Sequence, residues 1–300
     1  MMMMRGVALF CLLAMAHVFC QASEKMLIAG CGWNKIAVLD KQTKKLEWEH
    51  ALSPKEDCND IELTKEGHIL YAYRGGARLI NWNHEVLWDY KVQEGEEVYT
   101  ATQLADGKYL VAVCGNPSRI VELDDAGAVV EEFSFETGIK NVHGQFRQIR
   151  KLANGHYLIP LMGKGEVVEM DTRGNFLKQV KCGGTPFSVS PLAADRWLVS
   201  CGDGHNLVEI DWNTEKVIRV IDGTLLKGCT LFFVAEAVST KGGNILFCNW
   251  NGHTKDKSQP LLVEMDNRGN IVWSYSVTSD VANVSSVFYF EKQTINDRVL

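Results

Sequence analysis

The sequence predicts an all-β fold, a six-bladed β-propeller closed by a C-terminal strand that completes the first blade. Three observations predict it. The first is a four-stranded unit spanning residues 145–180. A strand at 145–152 meets the turn Ala153-Asn154-Gly155, strands at 156–161 and 166–170 follow, and Asp171-Thr172-Arg173-Gly174 turns the chain into 175–180. Glycine-bearing turns between short apolar runs are hairpin signals. The second is recurrence. KIAVLD, ARLINW, RIVELD, EVVEMD, NLVEID and LLVEMD repeat one motif, marked by Asp40, Asn81, Asp124, Asp171, Asp211 and Asp266, in steps of 41, 43, 47, 40 and 55 residues. A period of about 40–50 residues with four short strands per unit marks a propeller. The third concerns the ends. The first repeat starts directly in KMLIAGC without a leading strand, while VSSVFYFEKQ is surplus after the sixth. Residues 284–291 are therefore expected to pair with 26–31 and close the ring, which removes an exposed sheet edge.

Each repeat can be followed strand by strand. Turns precede the second strands in KEGHILYAY, ADGKYLVAV, ANGHYLIPL, AADRWLVSC and KGGNILFCN. Fourth strands read LEWEH, VLWDY, VVEEF, FLKQV, VIRVI and IVWSY, and Trp48, Trp88 and Trp273 in them are expected to pack between neighbouring blades. Cys31, Cys114, Cys201 and Cys248 end second strands, where cysteine acts as a small buried hydrophobe; they are expected to be buried and reduced. No CxxC pair supports a zinc ribbon or a thioredoxin-like site.

The chain has 300 residues, 46% hydrophobic and 23% charged, as ordinary globular proteins do. No linker divides it, so residues 23–300 read as one domain. Residues 1–22 read as a secretory signal: Arg5, then an apolar run over 7–19, then Cys20-Gln21-Ala22 before Ser23. The protein is expected to be periplasmic or secreted and soluble after signal removal. A lipid anchor at Cys20 is the lesser alternative, because bulky Phe19 stands where such sites place a small residue. The net charge of −6 comes without a Lys/Arg run, which makes nucleic acid an unsuitable partner.

Through G-x-V-V-E-M-D-x-x-G and V-L-W-D-Y the chain resembles the quinoprotein-like propeller superfamily, which includes the pyrroloquinoline-quinone repeat, outer-membrane assembly propellers and arylsulfotransferase-like propellers. The resemblance implies a propeller scaffold and says little of activity. Six blades separate the chain from the eight-bladed quinone dehydrogenases and assembly lipoproteins. The arylsulfotransferase-like members imply a channel histidine that carries the transferred group beside an arginine that neutralises sulfate; His143 and Arg147 match that pair.

Propeller topology sorts side chains by face. Strands alternate in direction within a blade, so the loop leading into the first strand and the loop joining second to third share one face. That rule gathers Asp57, Asn59, Asp60, Glu97, Tyr99, His143, Arg147, Phe187 and Glu236 on one rim. Trp33, Asn34, Arg74, Asn116, Asp203, His205, Trp250, Asn251 and His253 join them, while His68, His84 and His156 fall on the opposite face. The longest insertion, 249–260, lies on the loop-bearing rim, where binding residues concentrate. A ligand over the channel mouth is expected to touch some of Asp60, Tyr99, His143, Arg147, Phe187, Glu236 and Trp250. Such a mouth suits a small molecule, a glycan or a protein partner. The alternative is an enzyme, sulfotransferase-like or a metal-assisted lyase, with His143, Arg147 and Glu236 as catalytic candidates. A metal on His143, His205 and His253 is allowed by spacing but not demanded, and no metal or cofactor is expected. Without a nucleophile elbow, P-loop, dinucleotide fingerprint or HExxH motif, the binding reading leads.

Overall fold

The computed structural model describes residues 24–291, so the expected signal segment lies outside the described residues. Blade one begins with β1 (Glu24–Gly30), β2 (Trp33–Asp40) and β3 (Leu46–Ala51). Blade two holds β4 (Cys58–Leu63), β5 (Ile69–Tyr73), β6 (Gly76–Ile80) and β7 (Val86–Lys91). Blade three holds β8 (Glu97–Gln103), β9 (Tyr109–Cys114), β10 (Ser118–Leu123) and β11 (Val129–Phe135). Blade four holds β12 (Arg150–Lys151), β13 (Tyr157–Leu161), β14 (Glu166–Met170) and β15 (Phe176–Lys181). Blade five holds β16 (Ser188–Ala193), β17 (Arg196–Ser200), β18 (Leu207–Asp211) and β19 (Lys216–Ile221). Blade six holds β20 (Phe233–Ser239), β21 (Ile245–Trp250), β22 (Pro260–Met265) and β23 (Ile271–Ser276), and β24 (Ser286–Glu291) returns to blade one. These form six four-stranded antiparallel sheets in a ring, a six-bladed propeller.

The repeated aspartate is a turn former. Asp124 Oδ1 accepts the backbone N–H groups of Ala126 and Ala128; Asp171 does the same for Arg173 and Asn175, and Asp266 for Arg268 and Asn270. An aspartate that bonds the backbone ahead of it holds the tight turn between third and fourth strands. The ladder slips just before this turn in every blade, for example at Glu122/Leu123 and Glu169/Met170, as a β-bulge does.

Six apolar clusters fill the seams between adjacent blades. Along β1, Met26 and Ile28 pack toward blade six while Leu27 and Ala29 pack toward blade two. Side chains alternate along a strand, so a strand covered on both faces reads as a continuous apolar run. The fourth-strand tryptophans sit at these seams. Trp48 Nε1 donates to the Trp82 carbonyl at 3.0 Å, Trp273 Nε1 to the Lys41 carbonyl at 3.0 Å, and the Trp88 ring lies 5.1 Å from that of Tyr109. Trp33 corrects the expectation of a free rim aromatic: it is buried, and its Nε1 donates to the Asp280 carbonyl at 3.1 Å.

The ring closes as a seam within blade one. β24 pairs antiparallel with β1 from Glu24↔Glu291 to Ala29↔Ser286. The returning strand thus joins the ladder at Ser286, two residues later than expected, and on β1 the ladder runs over Glu24–Ala29 where 26–31 was expected. Beyond it, the Ser285 hydroxyl accepts the Cys31 N–H at 3.1 Å, and a Cβ on Gly30 would stand 1.9 Å from the Asn283 carbonyl. Only glycine fits that crossing.

All seven described cysteines are free. Cys114, Cys201 and Cys248 are buried as expected, but Cys31 is half-buried because it faces the channel mouth.

A chain ended before Ser286 loses the innermost strand of blade one and should lose its cooperative thermal transition. Circular dichroism melts of the truncated and full chains check this, and equal melting of the two would refute closure as the source of stability.

Candidate functional site

All six blades contribute to one cavity of about 210 Å³ at the channel mouth. It lies on the face where chains lead into the innermost strands. Blade four departs most from the repeat there. Its innermost strand is only Arg150–Lys151; residues 142–149 before it pair irregularly and bring His143, Gly144 and Arg147 to the cavity wall. Val142–Gly144 forms a 3₁₀ turn, Phe146 bridges to Leu161, and Gln148 bridges to Ser188 of blade five. The fully buried Gln145 fixes this segment to blade three: its Nε2 donates to the Gly115 and Ile139 carbonyls, and its Oε1 accepts the Gly115 N–H and the Ser118 hydroxyl. His143 is therefore presented by a turn, and Arg147, expected within a strand at 145–152, by an irregular segment.

The side of the mouth formed by blades two to four is polar. Glu97 accepts from His143 Nδ1 at 2.9 Å, from the Tyr99 hydroxyl at 2.7 Å and from Arg74 Nε at 2.9 Å. Burial acts to raise its pKa, but the bonds from His143 and Tyr99, with the charge of Arg74, outweigh it and hold the carboxyl at about 2. Arg147 lies over the Tyr99 ring, 3.7 Å from Cζ to the centroid. Its Nη1 donates to the carbonyls of His143 (2.8 Å) and Phe146 (2.9 Å), and its Nη2 lies 3.2 Å from His143 Nε2. Since Arg147 can only donate, Nε2 accepts, and the imidazole proton sits on Nδ1 facing Glu97.

The opposite side is aromatic. Phe187 packs edge-on against Phe233 at 5.6 Å, Phe233 against Trp250 at 5.6 Å, and Trp250 against His253 at 4.7 Å. Trp250 Nε1 donates to the Cys31 carbonyl at 3.0 Å, which pins the indole across the seam between blades six and one. Asp203 Oδ1 lies 3.2 Å from His253 Nδ1.

Below the mouth the bore holds polar groups, Asp60, Gln148 and Glu236 buried and Arg150 half-buried. Arg150 of blade four reaches Asp60 of blade two at 3.3 Å and Glu236 of blade six at 3.8 Å. Glu236 also accepts the Ser286 hydroxyl at 2.5 Å and the Val287 N–H at 2.9 Å. Gln148 Nε2 donates to the Asn59 carbonyl at 3.0 Å. Burial, with the nearby Asp60 charge, raises Glu236 to about 7 against the pull of Arg150. Burial likewise lifts Glu62 to about 7 although it accepts from Thr102 and the Gln103 N–H, and it raises Asp60 in spite of Arg150.

Of the expected contact residues, Tyr99, His143, Arg147, Phe187 and Trp250 line the cavity, whereas Asp60 and Glu236 lie deeper, on innermost strands, tied to Arg150. Sorting loops by face says nothing of depth along the bore. His143, His205 and His253 are not drawn together: His205 Nδ1 turns to the Phe232 carbonyl at 2.7 Å and His253 to Asp203. Among the described residues no group of three or more His, Cys, Asp or Glu could hold a metal. Sequence reasoning missed Arg150, Gln145, Gln148 and Phe233. Arg150 had no clear signal, since it stands beside Lys151 in a stretch, QFRQIRK, that is mostly polar.

The model of the Mal s 1 allergenic protein-like family matches residues 31–270. The chain belongs to that family. The match runs from the turn after β1 almost to β23, so it takes in the whole mouth except Ser285. The crystal structure of a protein of unknown function from Bacteroides caccae is 38% identical, covering 90% of this Mal s 1-like chain and 99% of its own, with a TM-score of 0.85. A catalytically inactive virginiamycin B lyase from Staphylococcus aureus, with quinupristin, is 11% identical over 91% of this chain and 94% of its own, TM-score 0.58. A nidogen/laminin complex matches at 12% identity over 89% of this chain and 98% of that one, TM-score 0.65. The last two likenesses show the propeller fold alone. Comparison with curated proteins gives no match.

The bore makes stability pH-dependent. Glu62 and Glu236 ordinarily titrate at 4.5, so between that value and about 7 the folded protein holds protons that the unfolded chain has released. Stability then falls as pH rises through this window. The melting temperature should be higher at pH 5.5 than at pH 8, and a Glu62→Gln, Glu236→Gln double variant should flatten the difference. An unchanged slope in that variant would assign the effect to other groups.

Proposed function

We propose that the protein is an exported, non-catalytic propeller that binds a small molecule with an apolar body at the channel mouth. The observation that carries this reading is the contiguous aromatic wall of Phe187, Phe233 and Trp250 at the cavity. Few polar groups set against an apolar wall are the usual composition of a ligand site. Its volume, about 210 Å³, is below the ~300–1,000 Å³ of drug-sized sites, and so suits a fragment-sized molecule or one end of a larger one. The fold itself does not choose a function, since propellers of this shape include both a virginiamycin B lyase and a nidogen/laminin complex. The quinoprotein-like resemblance enters only through its blade motif, and no quinone is part of the proposal.

One observation favours a catalytic role for His143: Glu97 orients its ring as a carboxylate orients a general base. The base atom, Nε2, is however occupied by Arg147, so catalysis requires Arg147 to turn away. Binding requires no such movement, and we adopt it. Export rests on residues 1–22. Burial raises the Cys31, Cys114 and Cys182 thiols to about 12, which suppresses the reactive thiolate and suits an oxidising compartment.

Benzyl alcohol is a suitable neutral probe. Trp250→Ala should weaken its binding by about 2 kcal/mol, as loss of an aromatic anchor does, while His156→Ala on the opposite face should leave it unchanged. Isothermal titration of both variants, with melting curves to confirm folding, measures this. Binding that follows His156 and ignores Trp250 would place the site on the wrong face. Amino-terminal sequencing of protein recovered outside the cell interior should begin at Ser23; material still beginning at Met1 would contradict export.

A further inference from the structure

Arg147 carries information about the charge of the ligand. The residue is 4% exposed, yet among the described residues no carboxylate forms an ion pair with it. Buried charges are ordinarily paired, because withdrawing a charge from water without a counter-charge is strongly unfavourable. A guanidinium has five N–H donors. Nη1 uses two on the carbonyls of His143 and Phe146, and Nη2 uses one on His143 Nε2. Nε–H and one Nη2–H, on adjacent nitrogens, remain without an acceptor among the described residues. The group is held in place by those three bonds and by Tyr99 beneath it, so the unused donors stay at the cavity wall.

The other charges near the mouth are engaged. Arg74 is bound to Glu97, Asp57 accepts the Gly32 N–H at 3.1 Å, and Asp203 faces His253. Asp57 and Asp203 disfavour an anion beside them and so restrict it to the Arg147 side. Across the cavity stand Phe187, Phe233 and Trp250. Resting on the small-molecule reading above, we propose that the ligand is a monoanion, with a carboxylate or similar oxyanion seated on Arg147 and its apolar body against the aromatic wall. Planar oxyanions match two adjacent guanidinium donors, and such charge-assisted bonds are the stronger kind. The ligand would complete the pairing that the protein leaves open.

The test compares benzoate and benzenesulfonate with their neutral counterparts benzamide and benzyl alcohol, at constant ionic strength, using the protein as it stands. Indole N–H signals in NMR report occupancy, with Trp250→Phe assigning the relevant one. Benzoate should bind about tenfold or more tightly than benzamide. Arg147→Gln should erase that preference, bringing the affinities for benzoate and benzamide together. Should that variant fail to fold, the benzoate-to-benzamide ratio in the unaltered protein decides alone. Equal affinity for charged and neutral probes would overturn the anionic ligand and leave the cavity reading standing. No shift of the Trp250 signal with any of the four would overturn both. A benzoate preference that survives in folded Arg147→Gln would overturn the seat at Arg147.

Discussion

The pairing of β24 with β1 joins residues more than 250 positions apart in sequence, and the site depends on it as much as the ring does. β24 is the innermost strand of blade one, so it forms one wall of the bore. Ser286 and Val287 on it hold the Glu236 carboxylate, Ser285 bonds the Asn59 side chain at 3.3 Å, and the Ser285 carbonyl accepts the Glu236 N–H at 3.1 Å. The Ser285 hydroxyl also takes the N–H of Cys31, whose carbonyl in turn holds Trp250. Closure therefore sets the polar floor and the aromatic wall through one short segment.

The two halves of the mouth are rigid for different reasons. On the polar side each group orients the next: Gln145 fixes the segment, Glu97 fixes His143, and Tyr99 with two carbonyls fixes Arg147. On the aromatic side the rings hold one another edge to edge, an arrangement that aromatic quadrupoles favour. Prearranged walls of this kind lower the ordering cost of binding. They also leave little room for the Arg147 movement that a catalytic His143 would need.

Much of the fold was legible in the sequence, because a propeller repeats its physics. The Asp-x-x-Gly turn, the buried second strand and the missing leading strand of repeat one each have a local cause that one repeat shows and the others echo. The site was legible only by face. Tyr99 and Arg147 reach the cavity, but Asp60 and Glu236 stand further along their strands, and depth depends on strand tilt and register that no motif encodes. Trp33 was misread because a tryptophan after a strand can cap a seam as readily as face solvent; its bond to Asp280 depends on the returning chain. Blade four was misread because 145–152 runs into the Ala153-Asn154-Gly155 turn as a first strand does, while buried Gln145 and Gln148 bind the chain elsewhere.

The Arg150 cluster has a consequence for how the ring shares load. Repeat proteins built from stacked units approximate a one-dimensional array in which each unit feels only its neighbours. Asp60, Arg150 and Glu236 belong to blades two, four and six, so their contacts run across the axis between blades that share no seam. Substitutions in these alternate blades are then coupled through the centre, and their energetic effects cannot be summed as they could for distant, independent positions. The bore works as a hub, and the six blades respond to perturbation as a wheel with spokes rather than as a chain bent into a circle.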